Sequence, residues 1–490
     1  MNRLERAREY EQTHKEEISE KDRPVYHVSP ATGWMNDPNG FSFYQGKIHL
    51  FYQYYPYATK WGTMHWGHYV SDDFIRWAFM PAALAPDEEY ESGCYSGSAI
   101  ETEDGKHLIM YTAHLEKEAE AAPHMIRETQ CIALGDGRDY VKYKGNPVLT
   151  SADLPEGSSK ADFRDPKIWR ENGKYYAVIA SMAADQSGQL LLYSSDDGLS
   201  WQYEKVLEAC RNEYGEMWEC PDFFRLDGKA VVIVSPMHMR EKKPEFHSGH
   251  NVIAIVGSCS ERTFDFVREN IQNVDYGFDF YAAQTMEMPD GRRVMTAWMQ
   301  SWAASNCQPL HAKWFCMMTI PRELSVRNGR IIQNPVRELK KYRKNKVVYK
   351  GYNLVGTEEL DGICGRSADI EVTVRTEASE CTEFKMLLAA DDNICTEILC
   401  NLESEMITVD RSCSGLRHDI VRRRQFKFNK ADDIVKFRVL LDRFSVELFV
   451  NDGEQAFSMC LYDTPQSAER IFFASDKPVK LDVEKYDICI

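Results

Sequence analysis

The chain has 490 residues, too many for one ordinary core, and 43% of them are apolar, enough for two or three domains. A net charge of −17 argues against nucleic acid and anionic membrane surfaces as partners, and no apolar run is long enough to span a bilayer. The 14 cysteines show no C-x-x-C or other metal-like spacing and there is no H-E-x-x-H, so no metal and no cofactor is expected.

Residues 1–23 form a strongly charged N-terminal extension, in which 2 to about 21 read as one exposed amphipathic helix ended before Pro24. The segment lacks the apolar centre of a signal peptide, and with free thiols the expected location is a reducing cytoplasm.

Trp34-Met35-Asn36-Asp37-Pro38-Asn39-Gly40 comes next, just before an aromatic strand-like run. Pro38 pushes Asp37 out of the helical region and Asn39-Gly40 is turn chemistry, so the Asp37 side chain sits on a stiff support. A Gly-Lys or Gly-Arg turn followed by a β-rich strand then recurs five times: Gly46-Lys47, Gly105-Lys106, Gly173-Lys174, Gly228-Lys229 and Gly291-Arg292. The strands after these turns are 48–53, 107–112, 175–180, 230–235 and 294–299, and the intervals between turns are 59, 68, 55 and 63 residues. Each unit has room for about four strands and little helical periodicity, which describes the blades of a five-bladed β-propeller over residues 24–337.

Eight or nine residues upstream of each turn stand Asp37, Ser96, Asp165, Glu219 and Ala282. Three of the five equivalent positions are thus acids, and each acid is soon followed by a proline (Pro38, Pro166, Pro221). Equivalent positions in a propeller lie on a ring about its axis, so three carboxylates converge on one end of the central channel. Glycoside hydrolysis needs a pair of carboxyls in different protonation states, and a third acid nearby raises the pKa of the proton donor.

Residues 338–353 read as a linker that begins with a short basic segment. From 354 to 490 apolar and polar residues alternate, as in Ile370, Val372 and Val374, and Asn451-Asp452-Gly453 is a hairpin turn. The fold expected is all-β, a five-bladed propeller followed by a C-terminal β-sandwich.

The motifs Trp34 to Gly40, Phe163-Arg164-Asp165-Pro166 and Trp218-Glu219-Cys220-Pro221 resemble the three signature motifs of the invertase-type glycoside hydrolases, family 32. Phe51-Tyr52-Gln53, Trp61-Gly62 and Tyr95-Ser96-Gly97-Ser98 extend the resemblance, which covers nearly the whole chain. It implies Asp37 as nucleophile, Glu219 as general acid/base kept protonated by its acidic neighbours, and Asp165 as transition-state stabiliser with Arg164 beside it. Trp34, Met35, Asn36 and Gln53 are implied at the substrate, together with Trp61, Tyr95, Ser96 and Arg164. A covalent fructosyl-enzyme and retention of configuration follow, with the two reacting carboxyls roughly 5 to 5.5 Å apart.

The implied substrate is a small carbohydrate with a terminal fructose: sucrose, sucrose 6-phosphate or a short fructo-oligosaccharide. A fructosyltransferase or exo-fructanase on the same fold, a pentose furanosidase and a sugar-binding propeller are the alternatives, and oligomeric state is left open. Tyr95 departs from the Trp or Phe of many relatives. Lys60 and His65 are either contacts for a substrate phosphate or an exposed loop lysine and a packed histidine.

Overall fold

The computed structural model describes every residue except 120, 121, 378, 431 and 432. Five antiparallel sheets are arranged as the blades of a propeller, and their innermost strands are Gly33–Tyr44, Gly93–Glu101, Phe163–Glu171, Trp218–Leu226 and Tyr281–Glu287. Each expected Gly-Lys or Gly-Arg turn joins an innermost strand to the second strand of its blade, and the glycine has positive φ in all five. The short strand Trp314–Phe315, from late in the propeller, pairs in parallel with Gly33 and Trp34 and ties the ring shut.

All five innermost strands break register with the second strand at equivalent places. The breaks fall between Met35 and Pro38, between Tyr95 and Gly97, at Asp165, between Glu219 and Asp222, and between Tyr281 and Gln284. Such a bulge leaves residues out of the ladder and turns their side chains. Pro38, Pro166 and Pro221 sit at or beside these breaks, where the amide a proline lacks is not needed. Below the bulges the blades are pinned around the axis. Gln284 accepts from the Phe41 amide (2.8 Å) and donates to the Gly97 carbonyl (3.0 Å), while Ser98 donates to the Pro166 carbonyl (2.8 Å). Lys167 reaches across to the Thr285 carbonyl and to Asp222.

The C-terminal domain is a two-layered sandwich whose layers share the strand Arg470–Ile488. Its first part pairs with Glu383–Ala390 and its second with Ala368–Arg375. Phe384, Phe437, Val439, Leu448 and Phe473 fill the space between the layers. The stretch expected as linker is otherwise organised: Arg337–Tyr342 is a 3-10 turn and Arg343–Cys364 is one long strand along Arg470–Ile488. Its polar, charged sequence hides the strand because one face stays in water. The N-terminal helix is also shorter than expected, Arg3–His14, closed by a capping box between Asn2 and Glu5. It is not exposed all round. Ala7 and Glu11 are buried against the first blade, where Glu11 accepts from the Ala82 amide (3.1 Å) and Arg8 donates to the Ala82 carbonyl (2.9 Å).

A buried charge network joins the two domains. His27 bridges Asp442 (2.8 Å) and Glu447 (2.8 Å), and Arg322 of the fifth blade donates to Asp275 (2.9 Å) and Glu447 (2.5 Å). Burial alone drives the His27 imidazole toward neutrality, but its bonds to the two carboxylates and their charges hold the proton up to about 9. Folding therefore raises this histidine above its unfolded value of about 6.5, so its contribution is complete below that pH and is lost as pH rises through about 9. Denaturant unfolding measured from about pH 6.5 to 9.5 should show stability declining across this window, and His27→Gln should remove most of that decline.

Candidate active site

The bulges turn Asp37, Ser96, Asp165 and Glu219 toward one cavity of about 410 Å³ at the end of the propeller axis. That volume suits a small sugar, within the range of about 300 to 1,000 Å³ typical of ligand pockets. Asp37 is held from both sides. Asn36 donates to its Oδ1 (3.1 Å), and Ser96 donates to its Oδ2 (2.8 Å). Asn36 is itself fixed by the indole of Trp34, which donates to its side-chain oxygen (2.8 Å).

Asp165 takes a left-handed backbone (φ 62°), and its amide donates to the Thr112 hydroxyl (2.9 Å). The Cys220 amide donates to Asp165 Oδ2 (2.9 Å). The Cys220 thiol lies 3.5 Å from Asp37 Oδ2 and 3.6 Å from Asp165 Oδ2, so one sulfur joins two of the acids. Glu219 is gripped by Arg164 at Oε1 (3.2 Å) and by the Tyr281 hydroxyl at Oε2 (2.8 Å). Arg164 in turn donates to Glu128 (3.2 Å) and Asp162 (3.1 Å).

Burial and repulsion both raise the carboxyls of the ring. Burial first, and the Glu219 charge second, raise Asp37 above its ordinary range, against the bonds from Ser96 and Asn36. The same two causes push Asp165 to about 8, against the pull of Arg164. Burial and the acids together keep the Cys220 thiol protonated. The site thus presents Asp37 between two neutral donors, Glu219 between a cation and a phenol, and Asp165 raised above the ordinary carboxylate range.

Of the residues expected at a substrate, Asn36, Gln53, Trp61, Tyr95, Ser96 and Arg164 line the cavity with the three acids. Trp34 and Met35 do not. Both are fully buried behind it, Trp34 orienting Asn36 and Met35 packed in the core. The reason is the pleat: only the bulged residues of that strand are turned to the axis. Gln53 donates to the Cys94 carbonyl (3.0 Å), and Trp61 meets Tyr95 edge to face, with centroids 6.4 Å apart. Sequence reasoning missed Glu128, Asp162, His114 and Trp302. Glu128 and His114 face each other on paired strands of the second blade that carry no motif, and Trp302 sits on a 3-10 turn of the fifth, so nothing local marked them. Tyr281 had a signal, standing next to the fifth ring position, Ala282.

Carboxylates facing one another across a sugar-sized cavity with aromatic walls, at the mouth of a five-bladed propeller, define a glycoside hydrolase. The N-terminal domain of glycosyl hydrolases family 32 matches residues 27–335, and the C-terminal domain of the same family matches residues 338–488. Raffinose invertase of Escherichia coli is 34% identical over 458 residues, covering 92% of each chain. Sucrose-6-phosphate hydrolase of Bacillus subtilis is 31% identical over 485 residues, covering 96% of each. A solved family 32 beta-fructofuranosidase of Bombyx mori superposes with a TM-score of 0.84 at 34% identity, covering 99% of this chain and 98% of its own. The protein belongs to glycosyl hydrolase family 32.

The Ser96 bond stabilises Asp37 as its anion, and a hydrogen bond to a charged group is worth about 1.5 to 3 kcal/mol. Ser96→Ala should therefore move the acid limb of the pH–activity profile upward by roughly one to two pH units, read from kcat/KM against pH.

Proposed function

We propose that this protein is a retaining β-fructofuranosidase that releases terminal fructose from sucrose and short fructo-oligosaccharides. The observation that carries the reading is the pairing of Asp37, ringed by Ser96 and Asn36, with Glu219, held by Arg164 and Tyr281, in one sugar-sized cavity. The names of the relatives, raffinose invertase, sucrose-6-phosphate hydrolase and beta-fructofuranosidase, support the substrate class.

In this mechanism Asp37 attacks the anomeric C2 of fructose while Glu219 gives its proton to the glycosidic oxygen, and the aglycone leaves as a neutral alcohol. Glu219, now a carboxylate, takes a proton from water. That oxygen attacks C2, the ester to Asp37 breaks, and fructose departs with its configuration retained. Asp165 carries a proton near neutral pH and so can both donate to and accept from fructosyl hydroxyls, and Arg164 keeps Glu219 in place. Gln53, Trp61, Tyr95 and Trp302 form the walls that exclude water and seat the rings.

We assign catalysis to the propeller, residues 24–337, and give the sandwich a supporting role through the buried network at His27 and Arg322. The 14 cysteines are all free thiols, which suits a cytoplasmic enzyme acting on small imported sugars.

Fructose release from sucrose and kestose tests the reading. Glu219→Gln should lower kcat by about 10²- to 10⁴-fold and Asp37→Ala by at least as much, with the first fructose seen by NMR in the anomeric form of the substrate. Absence of fructose release by the unaltered protein from both sugars would sink the assignment.

A further inference from the structure

We propose that this pocket selects uncharged fructosides and rejects their phosphate esters, because Glu128 and Asp162 already occupy the one guanidinium that a phosphate could use. The inference rests on the fructosidase reading and names the substrate class within it. Membership of the family leaves the choice open, since relatives of similar identity carry both kinds of name, raffinose invertase and sucrose-6-phosphate hydrolase.

Among the described residues, five carboxylates line the cavity: Asp37, Glu128, Asp162, Asp165 and Glu219. One guanidinium, Arg164, stands against them, and three carboxylates already engage its donors. Nε and Nη2 both serve Glu219 (3.2 Å each), Nη1 serves Glu128 (3.2 Å) and Asp162 (3.1 Å), and Nη2 also faces the sulfur of Met237 (4.0 Å). Phosphate is recognised by a guanidinium fork open to two oxygens. Here a phosphate has to displace carboxylates from a fork already filled, inside a cavity whose remaining acids repel it.

His114, His65 and Lys60 do not supply a substitute. His114 lines the cavity, but its ring stacks on Tyr95 with centroids 4.1 Å apart. Its nitrogens face Glu128 (3.4 Å) and one further carboxylate, Glu116 (3.9 Å). His65 is buried outside the cavity with Nδ1 on the Thr63 carbonyl (2.8 Å), and burial lowers its pKa to about 4, which leaves it neutral. Lys60 is an exposed loop residue outside the lining. Burial first, and the Glu219 charge second, displace Asp37 and Asp165 upward, so negative charge is one of the causes.

The experiment compares kcat/KM for sucrose and sucrose 6-phosphate near pH 7, at low and at high salt, in the unaltered protein and in two variants. Sucrose should be favoured by tenfold or more. The preference should narrow severalfold between about 20 and 500 mM salt, because screening weakens charge repulsion but not a steric clash. Asp162→Asn, which removes one carboxylate from Arg164, should raise the relative rate on the ester. Lys60→Ala should leave the ratio unchanged.

Equal or faster cleavage of the ester overturns the proposal, as does a preference indifferent to salt or an ester activity that collapses in Lys60→Ala. Failure to cleave either sugar is a different result, because it removes the fructosidase reading on which the proposal stands.

Discussion

Three carboxylates placed on one ring, partly out of water, repel one another, and the rest of the site is arranged around that cost. Arg164 is the main counterweight. It lies against Glu219 on one side and against Glu128 and Asp162 on the other, so its position is set by acids that take no part in the ring itself. The remaining charge is handled by neutral donors: Ser96 and Asn36 at Asp37, the Cys220 amide at Asp165, the Tyr281 hydroxyl at Glu219. What repulsion is left over adds to burial in raising Asp37 and Asp165 above the ordinary carboxylate range. Fixed dipoles and a fixed cation of this kind do not need to reorganise as charge moves between the acids and a sugar, which is the condition for electrostatic catalysis.

The ring exists because five strands bulge at the same height. A regular strand would send alternate side chains into the spaces between blades, and a carboxylate there would be stranded in a core. The break in register lifts Asp37, Asp165 and Glu219 out of that alternation, and the following prolines suit positions where no ladder bond is made. Beneath them, bonds through Gln284, Ser98 and Lys167 lock neighbouring blades across the axis, so the acids stand on a floor that cannot spread.

A second set of buried charges does structural work. His27, Arg322, Asp275, Asp442 and Glu447 join the start of the propeller, its fifth blade and two strands of the sandwich. Removing one member of such a cluster leaves an unpaired buried charge, at a cost of about 3 to 5 kcal/mol. The sandwich is thereby held to the propeller by more than apolar contact.

Much of this was legible in the order of residues. The recurring glycine turns and the strands after them determined five blades, since a turn of positive φ followed by an apolar run can be little else. Counting back from each turn located Asp37, Ser96, Asp165 and Glu219, because equivalent positions in a cyclic repeat meet on its axis. Alternation marked sandwich strands such as the one through Ile370, Val372 and Val374 but not Arg343–Cys364, whose charged residues face water. Trp34 and Met35 lie in the same motif as Asp37, yet the pleat carries them behind the cavity. Glu128 and Asp162 belong to no repeat position; Asp162 stands two residues before Arg164, and only the approach of the second and third blades brings Glu128 to it. The sequence by itself determined the ring of acids, because that ring follows from periodicity. Tertiary structure decided which charges those acids meet, because Arg164, Glu128 and Tyr281 become neighbours only when blades separate in sequence are packed side by side.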